Sequence, residues 1–212
     1  MENKGFKIAA IVALCVAVAG LSVAYAALSQ TLKINSTAKT GSLDASWNVR
    51  LDTTNAECKV VGTQKSDKTN AGSITVEPSG LTATVENVVL GAPGDKVQCT
   101  FTAKNTGDMD ATLASVTYEG ATPEGAISAV TGTEGDTKVA DEGLVKSDVT
   151  YTLSTDEEGA SKVQLTPNTT LAKTSGTQQY YITFEYKDTA VNMPASPVTI
   201  GPISHTFTYN QK

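Results

Sequence analysis

Few residues in this chain have types and spacings that could do chemistry. His205 is the single histidine among 212 residues, so a zinc site built from several imidazoles is excluded. Cysteines stand at Cys15, Cys58 and Cys99, and no cysteine–histidine dyad can be assigned among them. The chain contains no H-E-x-x-H, no G-x-S-x-G and no glycine loop fit to cradle a phosphate. Acidic groups at Asp108/Asp110 and Asp156-Glu157-Glu158 carry the oxygen ligands that calcium prefers, but neither has the spacing and glycine of a calcium loop. They read as solvated turn acids. Tyr180, Tyr181, Phe184 and Tyr186 could stack on a sugar ring, yet strand alternation puts Tyr180, Phe184 and Tyr186 on one core face and only Tyr181 outside. His205, in the last strand pattern, likewise takes a structural place. The expectation is a protein that is not an enzyme, with no catalytic, cofactor-binding or metal-binding residues.

Composition narrows the partners. Charged residues make up 18% of the chain and the net charge is −6, with lysines scattered rather than striped. Nucleic acid, which needs a basic surface, is therefore an unexpected partner. Thr, Ala, Ser, Val and Gly dominate, a mixture that favours pleated strands joined by tight turns.

The N-terminus carries Lys4 and Lys7, followed by the uncharged run Ile8–Leu28. That run is long enough to span a bilayer. It also has the parts of a secretory signal, with Ala24-Tyr25-Ala26 as an A-x-A site and cleavage before Ala27. Residues 1–26 are thus a signal peptide, met by a signal peptidase during export, or a retained membrane anchor helix. The alanines and Gly20 make the run less apolar than a typical retained anchor. Leu14-Cys15 lacks the small residue expected before a lipoprotein cysteine. Lys4–Leu14 bears a faint likeness to a type IV prepilin, but Ala10 stands where that family has glutamate. Contact with the membrane is expected only through this segment, before cleavage. Export would remove Cys15 and leave Cys58 and Cys99 as an even pair. They either close a loop of about 40 residues as a disulfide, worth about 4 kcal/mol by loop entropy, or stay as two buried thiols.

The elements that must position these residues read as strands. In 27–40, Leu28, Leu32 and Ile34 share one face and the opposite face is polar, until Gly41 breaks the pattern. Leu43–Leu51 alternates in the same way, with Trp47 as a core anchor. Residues 52–72 read as a loop with a short strand near Cys58–Val61, and Ser73–Glu77 and Leu81–Leu90 as strands. Pro93-Gly94-Asp95 makes a tight turn, and Val97 to Ala103, Asn105-Thr106-Gly107 and Ala111–Tyr118 together predict a β-hairpin. Residues 119–148 read as a long excursion with weak strands. Asp148–Ser154, Ser161–Leu165, Gln178–Tyr186 and Ile203–Tyr209 predict the remaining strands, with no helix after residue 28. The fold class is all-β: a single β-sandwich over 41–212, jelly-roll- or immunoglobulin-like, preceded by the apolar signal or anchor helix.

The segments AYAALSQTL, GSLDASW and LGAPGDKVQCTFTAKNTGDMDATL carry a family likeness. With their G-x-L-D at Gly41–Asp44, L-x-P-G-D at Leu90–Asp95 and N-x-G at Asn105–Gly107, residues 20–118 resemble the TasA/camelysin group of exported Gram-positive biofilm-matrix and surface proteins. The resemblance implies a jelly-roll-like sandwich, a dedicated signal peptidase and assembly into extracellular fibres. In such fibres the freed N-terminal strand of one subunit completes the sheet of the next, a case of strand addition. Some members are labelled metallopeptidases, an activity not carried over because the histidines are lacking. Strand 27–38 joins either a neighbour's sheet or its own. The functional expectation is a secreted or cell-surface structural protein that self-associates. The alternatives are a monomeric adhesin or carbohydrate- or protein-binding module and, more weakly, a pilin-like subunit or a secreted metallopeptidase.

Overall fold

Alternating burial organises the chain, in a computed structural model that describes residues 48–158 and 169–211. The elements are β1 (Val49–Val60), β2 (Ser73–Glu77), β3 (Thr82–Glu86), β4 (Lys96–Asn105), β5 (Ala111–Glu119), β6 (Val130–Gly132), α1 (Lys138–Asp148), β7 (Val149–Ser154), β8 (Thr170–Leu171), β9 (Thr177–Tyr186), β10 (Val198–Ile200) and β11 (Ile203–Gln211). This part is mostly β, all its pairings are antiparallel, and α1 is the one helix among the described residues. Four strands form one sheet in the order β1-β4-β9-β7, five form another in the order β2-β3-β11-β5-β8, and β10 pairs with β6.

The expected inward faces are buried, although β4 and β9 also bury Gln98, Thr100 and Thr183 on the opposite face. Val97, Cys99, Phe101 and Ala103 of β4 are buried, as are Tyr180, Ile182, Phe184 and Tyr186 of β9 and Ile203, His205, Phe207 and Tyr209 of β11. The two sheets meet through these aromatics. Phe207 packs against Phe101 at 5.5 Å and Tyr180 at 4.7 Å between ring centroids, and the Tyr180 and Tyr209 hydroxyls share a 2.7 Å hydrogen bond. Pro93-Gly94-Asp95 forms the expected turn: the Asp95 N–H donates to Ala92 O at 3.0 Å, and Gly94 takes φ +84°, open to glycine without strain.

The β-hairpin at 96–118 is not formed. β4 pairs with β1 and β9, whereas β5 pairs with β11 and β8 in the other sheet. The chain crosses the core between them, and Asn105 makes the corner. Its Nδ2 donates to Met109 O at 2.8 Å and Leu171 O at 3.1 Å, and its Oδ1 accepts the Gly107 N–H at 3.0 Å. A buried amide saturated in this way fixes the crossing. Asn105→Ala leaves those partners unpaired, and urea titration should register a loss of about 2 kcal/mol. An unchanged midpoint would show that the corner holds without the amide. The crossing is part of a wider pattern: β3, β4, β5, β7, β8, β9 and β11 fall in alternate sheets along the chain.

Three further expectations are corrected. Residues 52–60 are not a loop with a separate short strand: β1 is continuous and pairs with β4 on both sides of a register shift between Asp52 and Glu57. The polar residues in the shift conceal the strand. The strand expected over Leu81–Leu90 stops at Glu86, where Asn87 takes φ +61°. Val88 and Val89 then make only isolated bridges, to Ile200 and Asn70. The stretch expected to be helix-free contains α1, whose buried positions are Asp141 and Val145. The strand read at Ser161–Leu165 and the anchor Trp47 lie outside the described residues.

Candidate functional site

Of the residues singled out in the sequence, Ala24, Ala26, Ala27, Leu28, Leu32 and Ile34 lie outside the described residues, as does the apolar run Ile8–Leu28. Among the described residues no helix is long and apolar enough to cross a membrane. Cys58 and Cys99 face each other in the β1–β4 register and are joined by a disulfide. The bond ties β1, the outer strand of this sheet among the described residues, to β4 just beyond the register shift.

Among the described residues no group of three or more histidines, cysteines or acids is placed to hold a metal. The Asp110 carboxylate accepts the Lys173 N–H at 2.8 Å. Near the second acidic group, backbone carbonyls do the work: Ser154 Oγ donates to Asp156 O and Gln98 Nε2 to Glu157 O. His205 is sealed in the core. Its ring stacks on Tyr151 and meets Tyr118 edge-on, and its Nε2 is hydrogen-bonded to the Tyr151 hydroxyl. Burial lowers its pKa from the ordinary 6.5 to about 4, so the ring is neutral near pH 7. It has no open face for a substrate, since it is 0% exposed.

Two surface features remain. The first is a sheet edge. β8 covers only Ala111 and Thr112 of β5, and the Leu113 N–H reaches Thr169 O. Among the described residues, Ser115–Glu119 pair on one side only, with β11. An edge of this kind offers unpaired N–H and C=O groups to an incoming strand.

The second is a cavity roofed by the segment before β10. Asp141 of α1 accepts the backbone N–H groups of Ala195 at 2.9 Å and Ser196 at 3.2 Å, and Thr133 Oγ1 donates to Pro197 O at 3.0 Å. The Ala195 N–H, above all, holds the Asp141 carboxyl below the usual carboxylate range. Beneath this roof lies a cavity of about 560 Å³, counting its open mouth, walled by Leu90, Val145, Val149, Val198 and Ile200. Met193, Pro194 and Pro197 form the lip, and among the described residues Lys68 is the only charged side chain in the lining. Val191 and Met193 stand 92% and 48% exposed on the same segment. The sequence reading missed this site because its framework is α1. A helix whose inward positions are Asp141 and Val145, with Gly143 between them, shows no apolar stripe. The available signal was the run of prolines and apolar residues in Val191–Val198.

No family model, no curated protein and no solved structure matches this chain.

Proposed function

We propose that the chain is an exported structural protein, a subunit of an extracellular fibre, in which strand 27–38 of one copy adds to a sheet of the next. The observation that carries this reading is the edge of β5, a nine-residue strand of which, among the described residues, β8 covers two. Leu28, Leu32 and Ile34 alternate as a strand seeking such an edge requires. The finer fold belongs to the same reading: two antiparallel sheets meeting across one core form a sandwich, and strands that alternate between them suit a jelly roll. The apolar segment before Ala27 tethers the strand to the membrane until signal peptidase cuts. Assembly thereby waits for export, and the partners afterwards are further copies of the chain.

The test compares protein beginning at Ala27 with protein beginning at Lys39, by electron microscopy and size-exclusion chromatography. Fibres are expected from the first, with monomers of unchanged circular dichroism from the second. Added peptide 27–38 should shorten the fibres by occupying the acceptor edge. Association that is unaffected by both the deletion and the peptide refutes strand addition.

A further inference from the structure

We propose that the cavity beneath the 193–197 segment binds a small amphipathic carboxylate, its alkyl chain among the aliphatic walls and its –CO₂⁻ group on Lys68. This site is separate from the β5 edge and does not depend on assembly. The walls set the first half of the ligand's chemistry. Leu90, Val145, Val149, Val198 and Ile200 are buried aliphatic side chains, and among the described residues no aromatic ring lines the cavity. Such walls offer no face on which a sugar or a nucleobase could stack, and they suit a flexible alkyl chain.

Charge sets the other half. Lys68 is exposed and makes none of the ion pairs formed by the neighbouring cations: Lys65 pairs with Asp188, Lys96 with Glu185 and Lys138 with Glu134. Among the described residues no acid contributes to the lining. Asp141, the acid beneath the roof, is already taken up by the Ala195 and Ser196 N–H groups. An ammonium beside an apolar mouth favours an anion with an apolar tail and disfavours a cation. Met193, half-exposed at the lip and unbranched, can shift to admit a chain and still cover it.

The three methionines, Met1, Met109 and Met193, supply the readout. Octanoate, kept below its micelle concentration, is titrated into the full chain carrying ¹³C-methyl methionine. The Met193 methyl resonance should move saturably while Met109, far along the sequence at the Asn105 corner, stays fixed. Lys68→Gln should weaken the apparent affinity about tenfold, equivalent to about 1.4 kcal/mol. Octylammonium, with the same tail and the opposite charge, should give no saturable shift. A Met193 signal that never moves overturns the site. A shift that octylammonium reproduces, or that Lys68→Gln leaves unchanged, shows apolar adsorption without carboxylate recognition and overturns the proposal equally.

Discussion

Reduction of the Cys58–Cys99 bond is expected to lower the free energy of unfolding by about 4 kcal/mol. The two cysteines stand 41 residues apart, and closing a loop of that length removes much of the freedom of the unfolded chain. The folded state has its own need for the bond. Among the described residues β1 is an outer strand with β4 as its single sheet neighbour, and its pairing is interrupted between Asp52 and Glu57. Beyond that break only Glu57–Val60 hold the register, and the bond lies at the second of these four positions. Urea titration with and without a dithiol, or of the variant Cys58→Ser with Cys99→Ala, should move the midpoint down by about 2 M, given a slope of about 2 kcal/mol/M. Hydrogen exchange at Glu57–Val60 should accelerate more than at Tyr181–Glu185, which are held on both sides by β4 and β7. Equal midpoints in the two redox states would refute the stabilising role. A bond of this worth belongs in an oxidising compartment, which is where the proposed function puts the chain.

How far the sequence discloses this fold depends on what alternation can and cannot say. Period 2 reports that a residue faces a core, not which sheet carries it. Val97–Ala103 and Ala111–Leu113 alternate identically whether β4 and β5 lie side by side or face each other across the core. A hairpin and a crossing therefore share one pattern, and the difference rests on the hydrogen bonds of Asn105 to Leu171 O, 66 residues away. Ser73–Glu77, by contrast, is a strand with the same bounds in sequence and structure, because local β-branched residues and flanking breakers decide it. β1 was hidden by Thr53-Thr54-Asn55, polar residues that mark a bulged edge as readily as a loop.

The candidate sites were legible to different degrees. Cys58 and Cys99 could be paired by counting once Cys15 was assigned to the signal, but their neighbouring register is a property of the sheet. The cavity left almost no trace, since α1 turns an aspartate inward to hold a loop more than fifty residues further along the chain. An apolar stripe is the usual sign of a packed helix, and a buried carboxylate that accepts backbone N–H groups gives none. The β5 edge, which among the described residues β8 covers at only two positions, is likewise invisible in the sequence.

Acid should loosen the contact between the sheets through one side chain. His205 lies between Tyr151 of β7 and Tyr118 of β5, with the β3 residue Ala83 as its register partner on the other side. Among the described residues, the groups recorded against it are two phenols and backbone, and no carboxylate is among them to compensate an imidazolium. Burial depresses its pKa to about 4, against 6.5 for the exposed ring. Between those values the unfolded chain binds a proton that the folded chain refuses, so stability rises with pH across the window and falls as pH drops from 6.5 towards 4. The full loss is about 3 kcal/mol, nearly complete by pH 4, below which the folded state also accepts the proton. Carboxylates begin to titrate at the lower end of the window, and a difference measurement removes their share. His205→Gln keeps a polar partner for the Tyr151 hydroxyl and cannot titrate. The variant should be less stable than the parent at pH 7 because the stacked ring is lost, yet the gap should close by about 3 kcal/mol by pH 4. A gap that stays constant from pH 7 to pH 4 would mean that His205 is protonated as readily inside the protein as outside. The sheets would then need some other group to explain any loosening in acid.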